Sequence, residues 1–337
     1  MGRHVIHQEE FESIAKAHFI WELSNGKAGK KADFTNTIIE GVNFGNNEHP
    51  MIFSDVSFRG AEIKDSMFYN FRFANCDFSN SVSYMTSFKK SNINFCKAEE
   101  AIFDTVGFVD TSLSESDFSK SAFYDNVLIG ANVSSCNLQD TLMQHPQFAE
   151  QNLFQSCNFE NQQLFGVVAL PKSAGERLAP DKLLIQNGNF RDAQIQSCCF
   201  QHTHFKDADF RKATVVQSNF NRATLENSPL TKALVSLSNF ESTRFKDTPM
   251  HEQFVQLYGT LDGKRRFSFA YYPVANRITS HKLFQSERLP MKEAIERIKD
   301  LDEKTFSKDD KEKIASVLKS TLRHRQKYVA EFQEKAK

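Results

Sequence analysis

The side chains that could do chemistry are few and scattered. His202 and His204 flank Thr203 three residues beyond Cys199, and such a trio could hold a metal ion. No fourth ligand stands at a sensible spacing, so surface histidines are the expected reading. Asp207 and Asp209 nearby are scattered acids flanking positions of a five-residue repeat. The stretch Lys264-Arg265-Arg266-Phe267-Ser268-Phe269-Ala270-Tyr271-Tyr272 mixes cations with aromatics, a composition suited to stacking on bases beside a phosphate backbone. A capping hairpin explains it more simply. No phosphate-binding loop, dinucleotide fingerprint, nucleophile elbow or zinc-protease motif occurs. These residues point to no enzyme, no cofactor and no metal.

The elements that carry them repeat with a period of five. From Phe53, every fifth residue as far as Leu153 gives 21 positions, of which 19 are large and apolar and 11 are Phe. At the chain-wide rate of 33 Phe in 337 residues, about two would be expected there. Two residues earlier, 16 of the 21 are small (Ala, Ser, Thr, Cys or Val). A second block from Phe190 to Met250 is apolar at all 13 such positions and small two residues before each. This period fits neither a helix nor an ordinary strand. It fits a chain that turns a corner every five residues, with the central residue and the one two before it facing inward. Four sides close a coil of about 20 residues, and coils stack at the strand spacing of about 4.8 Å. Residues 20 apart then share a column. Phe68, Phe88, Phe108, Leu128 and Phe148 form one ladder; Cys76, Cys96, Ser116 and Cys136 form another, with its thiols reduced and structural.

Ala208-Asp209-Phe210-Arg211-Lys212, Ala32-Asp33-Phe34-Thr35-Asn36 and Cys76-Asp77-Phe78-Ser79-Asn80 resemble the A(D/N)LXX units of the pentapeptide-repeat family. The resemblance spans residues 32–250 and implies a mostly β fold: a right-handed quadrilateral β-helix solenoid of about ten coils. It is interrupted at Gly45–Pro50, by one inserted residue near Ser156-Cys157, and by a long insertion at 170–187 whose non-repetitive core is Leu170–Lys182. Residues 1–31 read as a leader with a capping helix, Gln8 to Leu23, whose Phe11, Ile14, Ala15, Phe19 and Leu23 fall near one face. The stretch His18-Phe19-Ile20-Trp21, followed by Gly26-Lys27-Ala28-Gly29-Lys30-Lys31-Ala32-Asp33-Phe34, resembles the leader of many bacterial members of that family. Residues 251–337 read as a hairpin followed by two helices, one from about Pro290 to Leu301 and one from about Ser307 to Ala336. The stripe Ile314, Val317, Leu318, Leu322, Tyr328, Val329 and Phe332 would pack on the end of the rod or on a second copy, making a homodimer.

Charge separates the regions. Residues 33–170 hold 17 acidic and 7 basic side chains, whereas residues 251–337 hold 13 and 19. Between Glu99 and Glu160 stand ten acids with Lys120 alone of the lysines and arginines. Net neutrality, no apolar run long enough to span a membrane and no visible secretory signal suggest a cytoplasmic protein, with a secreted bacterial effector as an alternative.

A solid rod implies a non-enzymatic scaffold binding a protein partner through its outer faces, the 170–182 loop and the C-terminal helices. The resemblance offers an alternative, since some family members bind DNA gyrase or another topoisomerase as mimics of duplex DNA, without contacting nucleic acid themselves. Carried over to this chain, the contact residues would be the acids Glu99, Glu100, Asp104, Asp110, Glu115 and Asp117 and the loop residues Lys172, Glu176, Arg177 and Asp181. The chain departs from those members in its greater length, its basic C-terminal region and the absence of acidic bias in the second half of the shaft.

Overall fold

The computed structural model describes residues 2–149, 152–170, 183–231, 233–236, 238–240, 243–248, 254–261, 265–273, 276–284, 287–327 and 329–330. Three-residue strands follow one another around a four-sided coil and pair in parallel with the coils above and below. Two faces carry ten shaft strands each and a third carries seven, while the remaining face is joined by single bridges from Asp33 to Asp209. In chain order, the first face holds Phe34 and Phe58, the second Ile39 and Ile63, the third Phe44 and Phe68, and the fourth Phe53 and Phe73.

The ladders follow the five-residue period. On the third face Phe68 pairs with Phe88, and Phe108 with Leu128 and then Phe148 in turn. The rings of Phe68 and Phe88 stack at 5.4 Å and those of Phe88 and Phe108 at 5.8 Å. Ten coils at about 4.8 Å make a shaft of about 45–50 Å. At almost every corner, the residue two after the core residue takes a positive φ. Asn and Asp tolerate that conformation best, and they occupy it at Asp55, Asp65, Asn70, Asn75 and Asn80.

At several sides the inward residue two before the core position also has a bonding role. Ser91, Thr111, Ser116, Asn126 and Asn152 donate to the core residue's carbonyl on the previous coil. Several accept an N–H from the coil below as well: Cys96 N–H to Ser116 Oγ at 3.0 Å, and Val106 N–H to Asn126 Oδ1 at 2.7 Å. Alanine or valine fills other such positions, as at Val56, Ala61 and Ala101, so a polar tip serves only where an inward N–H or carbonyl lacks a partner in its own ladder.

The structure moves two boundaries. The single inserted residue lies between Phe148 and Phe154, not at Ser156-Cys157: Val133 pairs with Phe154, which is buried, while Leu153 lies outward of it. Asn152, placed inward by that shift, bonds Leu128 O at 2.7 Å and so stabilises it. The long insertion ends earlier than 187, because Leu183–Gln186 is already a shaft strand with Ile185 in the core and Phe154 as its neighbour. The core position expected at Met250 lies outside the described residues.

Helix α1 (Gln8–Leu23) covers the lower end. Phe11 stacks on Phe34 at 5.5 Å, and Val5-Ile6 add a short parallel strand beside Ile38-Ile39. Phe11 and Ala15 are buried as expected, but Phe19 and Leu23 face outward. The inward place belongs to His18, whose Nδ1 accepts the Ala32 N–H at 3.1 Å while its ring packs on Trp21 and Phe53.

The upper end is closed by an antiparallel sheet of Val255–Leu261, Arg265–Tyr272, Arg277–Thr279 and Arg288–Pro290. Phe254 meets Phe240 edge-on at 4.6 Å, and the Tyr272 hydroxyl donates to Ala233 O. The sheet is also one wall of a second core, shared with the short helix α2 (His281–Phe284), α3 (Met291–Arg297, continued by a 3-10 turn to Asp300) and α4 (Lys308–Arg323). The C-terminal region is therefore a lid with a core of its own. Ser307 and Asp310 form a reciprocal capping box at the start of α4. After a turn at His324 the chain is helical again at 325–327 and 329–330; Ile314 and Leu318 of α4 are buried, whereas Tyr328 and residues 331–337, Phe332 among them, lie outside the described residues.

Candidate interaction surfaces

The shaft interior is filled by its own side chains. Two voids among the core rings, one beside Phe118 and one beside Phe159, measure about 30 and 10 Å³. Both are far below the several hundred Å³ of an ordinary ligand site. Burial pushes the Cys136 and Cys198 thiols up to about 12, so neither is a nucleophile at neutral pH. Every cysteine is free.

His202 and His204 do flank an inward Thr203, but His204 Nε2 is 3.1 Å from Glu226 and Cys199 Sγ contacts Gln201. Among the described residues no cluster of three or more His, Cys, Asp or Glu is placed to hold a metal ion. Asp209 is a wall residue: its Oδ1 accepts the Arg211 N–H at 3.0 Å, and Arg191 reaches Oδ2 at 3.0 Å. Burial works against the carboxylate, but the bonds from Arg211 and Arg191 outweigh it and hold the pKa below the usual range.

The six acids named from sequence are not brought onto one side. Glu99, Glu100 and Asp117 belong to the first face, Asp104 to the second, Asp110 to the corner after the third and Glu115 to the corner after the fourth. Glu99 pairs with Lys120 at 2.8 Å, and Asp117 accepts from Ser119 N–H and from the Asn137 amide. The acidic bias thus wraps the shaft. Lys172, Glu176, Arg177 and Asp181 lie outside the described residues.

A surface that the five-residue reading missed stands on the second face. Its outer columns align Val82, Ile102, Ala122, Leu142 and Gln163 on one side, and Tyr84, Asp104, Tyr124, Gln144 and Phe165 on the other. Tyr84, Ile102 and the corner residue Met85 are 42, 39 and 53% exposed. The equivalent columns of the fourth face carry Asn92, Ser112 and Asn132 beside Asn94, Ser114 and Ser134. The coil therefore does not require apolar groups outside. Sequence could have revealed the difference had the residues on either side of each core position been sorted by coil side.

A family model described as pentapeptide repeats matches eight copies in this chain, over residues 108–144 and 189–227. Those two stretches of the chain are pentapeptide repeats. Among solved structures, the chain is similar to HetL, a pentapeptide repeat protein involved in heterocyst differentiation regulation from the cyanobacterium Nostoc sp. strain PCC 7120, at 15% identity over 69% of this chain and 93% of that one, with a TM-score of 0.39. It is also similar to full-length QnrB1, a plasmid-mediated fluoroquinolone resistance protein, at 14% identity over 64% of this chain and 92% of that one, TM-score 0.16. Rfr23 from the cyanobacterium Cyanothece 51142 aligns at 13% identity over 47% of this chain and 97% of that one, TM-score 0.16. No curated protein sequence matches the chain.

Proposed function

We propose that this protein is a non-enzymatic pentapeptide-repeat scaffold that docks a protein partner on the second face of its shaft. The observation carrying this reading is the outward apolar ladder from Val82 to Phe165, on a wall where the repeat itself asks for no apolar side chain. Across five coils it forms a flat strip about 20–25 Å long. A rigid surface of this kind docks with little loss of conformational freedom, which favours binding over a flexible loop of equal area. Clusters of exposed apolar side chains this size mark interaction sites more often than chance.

The test is capture of partners by the intact protein beside Tyr84→Lys/Ile102→Lys and a deletion of residues 171–182. Loss of the same captured proteins in the double variant, at an unchanged melting temperature, supports the second face. Full retention by the double variant removes that reading, and loss only in the deletion moves the contact to the insertion.

One observation favours a second reading, a DNA-mimicking topoisomerase binder: the ten acids against Lys120 between Glu99 and Glu160. A gyrase supercoiling assay with and without ciprofloxacin decides it. Protection or inhibition supports mimicry, and no effect at micromolar protein ends it.

A further inference from the structure

The two ends of the molecule carry surfaces that complement each other, and we propose that they bind: helix α1 of one copy seats in the C-terminal groove of the next. The proposal does not depend on the second face.

The groove runs between α3 with its 3-10 extension and α4, and encloses about 640 Å³. Its floor is Ile295, Ile298 and Ala315. Its rim carries Lys299, Lys308, Lys311, Lys319 and Arg323 against Glu303 and Glu312. From Lys308 to Arg323 it follows α4 for about 22 Å, the length of a four-turn helix. An apolar floor inside a cationic rim is the receptor half of a helix-in-groove contact with an acidic amphipathic helix. A single-stranded nucleic acid would ask for aromatic platforms, and none lines this groove.

Such a helix stands at the opposite end of the same chain. Helix α1 has 16 residues, about 24 Å. While its inner side closes the shaft, its outer side presents Glu9, Ser13, Lys16, Ile20 and Leu23 at alternating four- and three-residue steps. Ile20 and Leu23 are 49 and 71% exposed, and Phe19 beside them 37%. Glu9, Glu10 and Glu12 supply the acidic end.

Charge fixes the direction. An antiparallel arrangement places Glu9, Glu10 and Glu12 beside Lys319 and Arg323 at the end of α4. It brings Ile20 and Leu23 toward the apolar floor, and Lys27, just past α1, toward Glu303. A parallel arrangement would set Lys27 against Lys319 and Arg323. Because the two surfaces differ and lie at opposite ends, the contact is head-to-tail, and repetition extends it into a chain of rods rather than a closed two-fold dimer.

Light scattering on the full-length protein, with two variants made on exposed side chains, tests this. The wild-type mass should climb past twice the 38.6 kDa monomer at tens of micromolar. Raising salt from about 0.05 to about 0.5 M should weaken the association roughly tenfold or more, since the ion pairs lie at the surface. Ile20→Asp/Leu23→Asp alone and Lys319→Glu/Arg323→Glu alone should each remain monomeric. Mixed in equal amounts they should give a 1:1 dimer and nothing larger, because one intact helix then meets one intact groove. A wild type of monomer mass throughout the concentration range overturns the proposal, as does a mixture that stays monomeric. Association that persists in both single-end variants places the contact elsewhere and overturns it equally.

Discussion

Two buried serines at equivalent places in the repeat should answer the loss of their hydroxyls in opposite directions. Ser81 and Ser116 each stand two residues before a core Phe or Ser position, point inward, and are 0 and 3% exposed. Ser116 Oγ accepts the Cys96 N–H at 3.0 Å and has the Ser114 and Ile93 carbonyls at 2.9 and 3.3 Å. The Ser81 N–H is bonded to Phe78 O at 3.0 Å, and its Oγ has no partner among the described residues. Alanine at 116 leaves the Cys96 N–H buried and unpaired, at a cost of about 1–3 kcal/mol. Alanine at 81 removes a buried hydroxyl that bonds nothing, a gain of up to about 1 kcal/mol. The two substitutions delete the same single oxygen, so cavity and propensity effects cancel and the difference, about 1–4 kcal/mol, reports the hydrogen bond. Stacked coils need not unfold in one step, so the urea midpoint should be paired with hydrogen exchange at the Cys96 amide. Ser116→Ala should lower the midpoint and speed exchange at that amide, and Ser81→Ala should do neither. Equal responses would show that side-chain bonding of inward N–H groups does not stabilise the shaft.

Three further outcomes follow from single residues. Desolvation lowers the His18 pKa below its ordinary 6.5 against the opposing pull of Glu22, so its contribution to stability is complete above pH 6.5 and lost as pH falls through the folded value; the wild-type melting temperature should drop over that window, and that of His18→Gln should not follow it. Gly29 (φ +77°) lies where an added Cβ would overlap the Ala17 carbonyl and the Trp21 nitrogen, so Gly29→Ala should destabilise the α1 cap by about 1–3 kcal/mol, seen as earlier proteolysis near the N-terminus. Thr105 is a β-branched residue at φ +56° on an exposed corner, and Thr105→Asn should raise the melting temperature by relieving about 1 kcal/mol of backbone strain.

The five-residue period made most of the shaft legible because each coil side buries one large residue and one small one, and that demand recurs without exceptions in topology. Phe68 over Phe88 and the cysteine column could be placed from arithmetic alone. The single insertion was misplaced because Leu153 and Phe154 are both apolar; which one faces in is decided by Asn152, whose amide reaches Leu128 O. His18 was overlooked because hydrophobic patterning favours Phe19, whereas the position needs an acceptor for the Ala32 N–H as well as a ring for Phe53. The acids were legible as a composition but not as a surface, since four sides share them and only a coil-by-coil register shows that they encircle the shaft.

That same register explains where function can reside in such a molecule. The inward residues are committed to packing and to the inward N–H groups, and the corners to positive φ. Only the two outer columns of each side, the insertions and the ends remain free to vary. Among the described columns the second face departs from what the coil requires at Tyr84 and Ile102 and the third at Ile129 and Val168, and at the ends the departure is Ile20 and Leu23 on α1 and the cationic rim on α4. Exposed apolar side chains at these places do nothing for the core, where Phe11 and Ala15 already close the lower coil. On the proposed readings a bound surface offsets their cost in water, and the wall and the two ends can be occupied at once without competing.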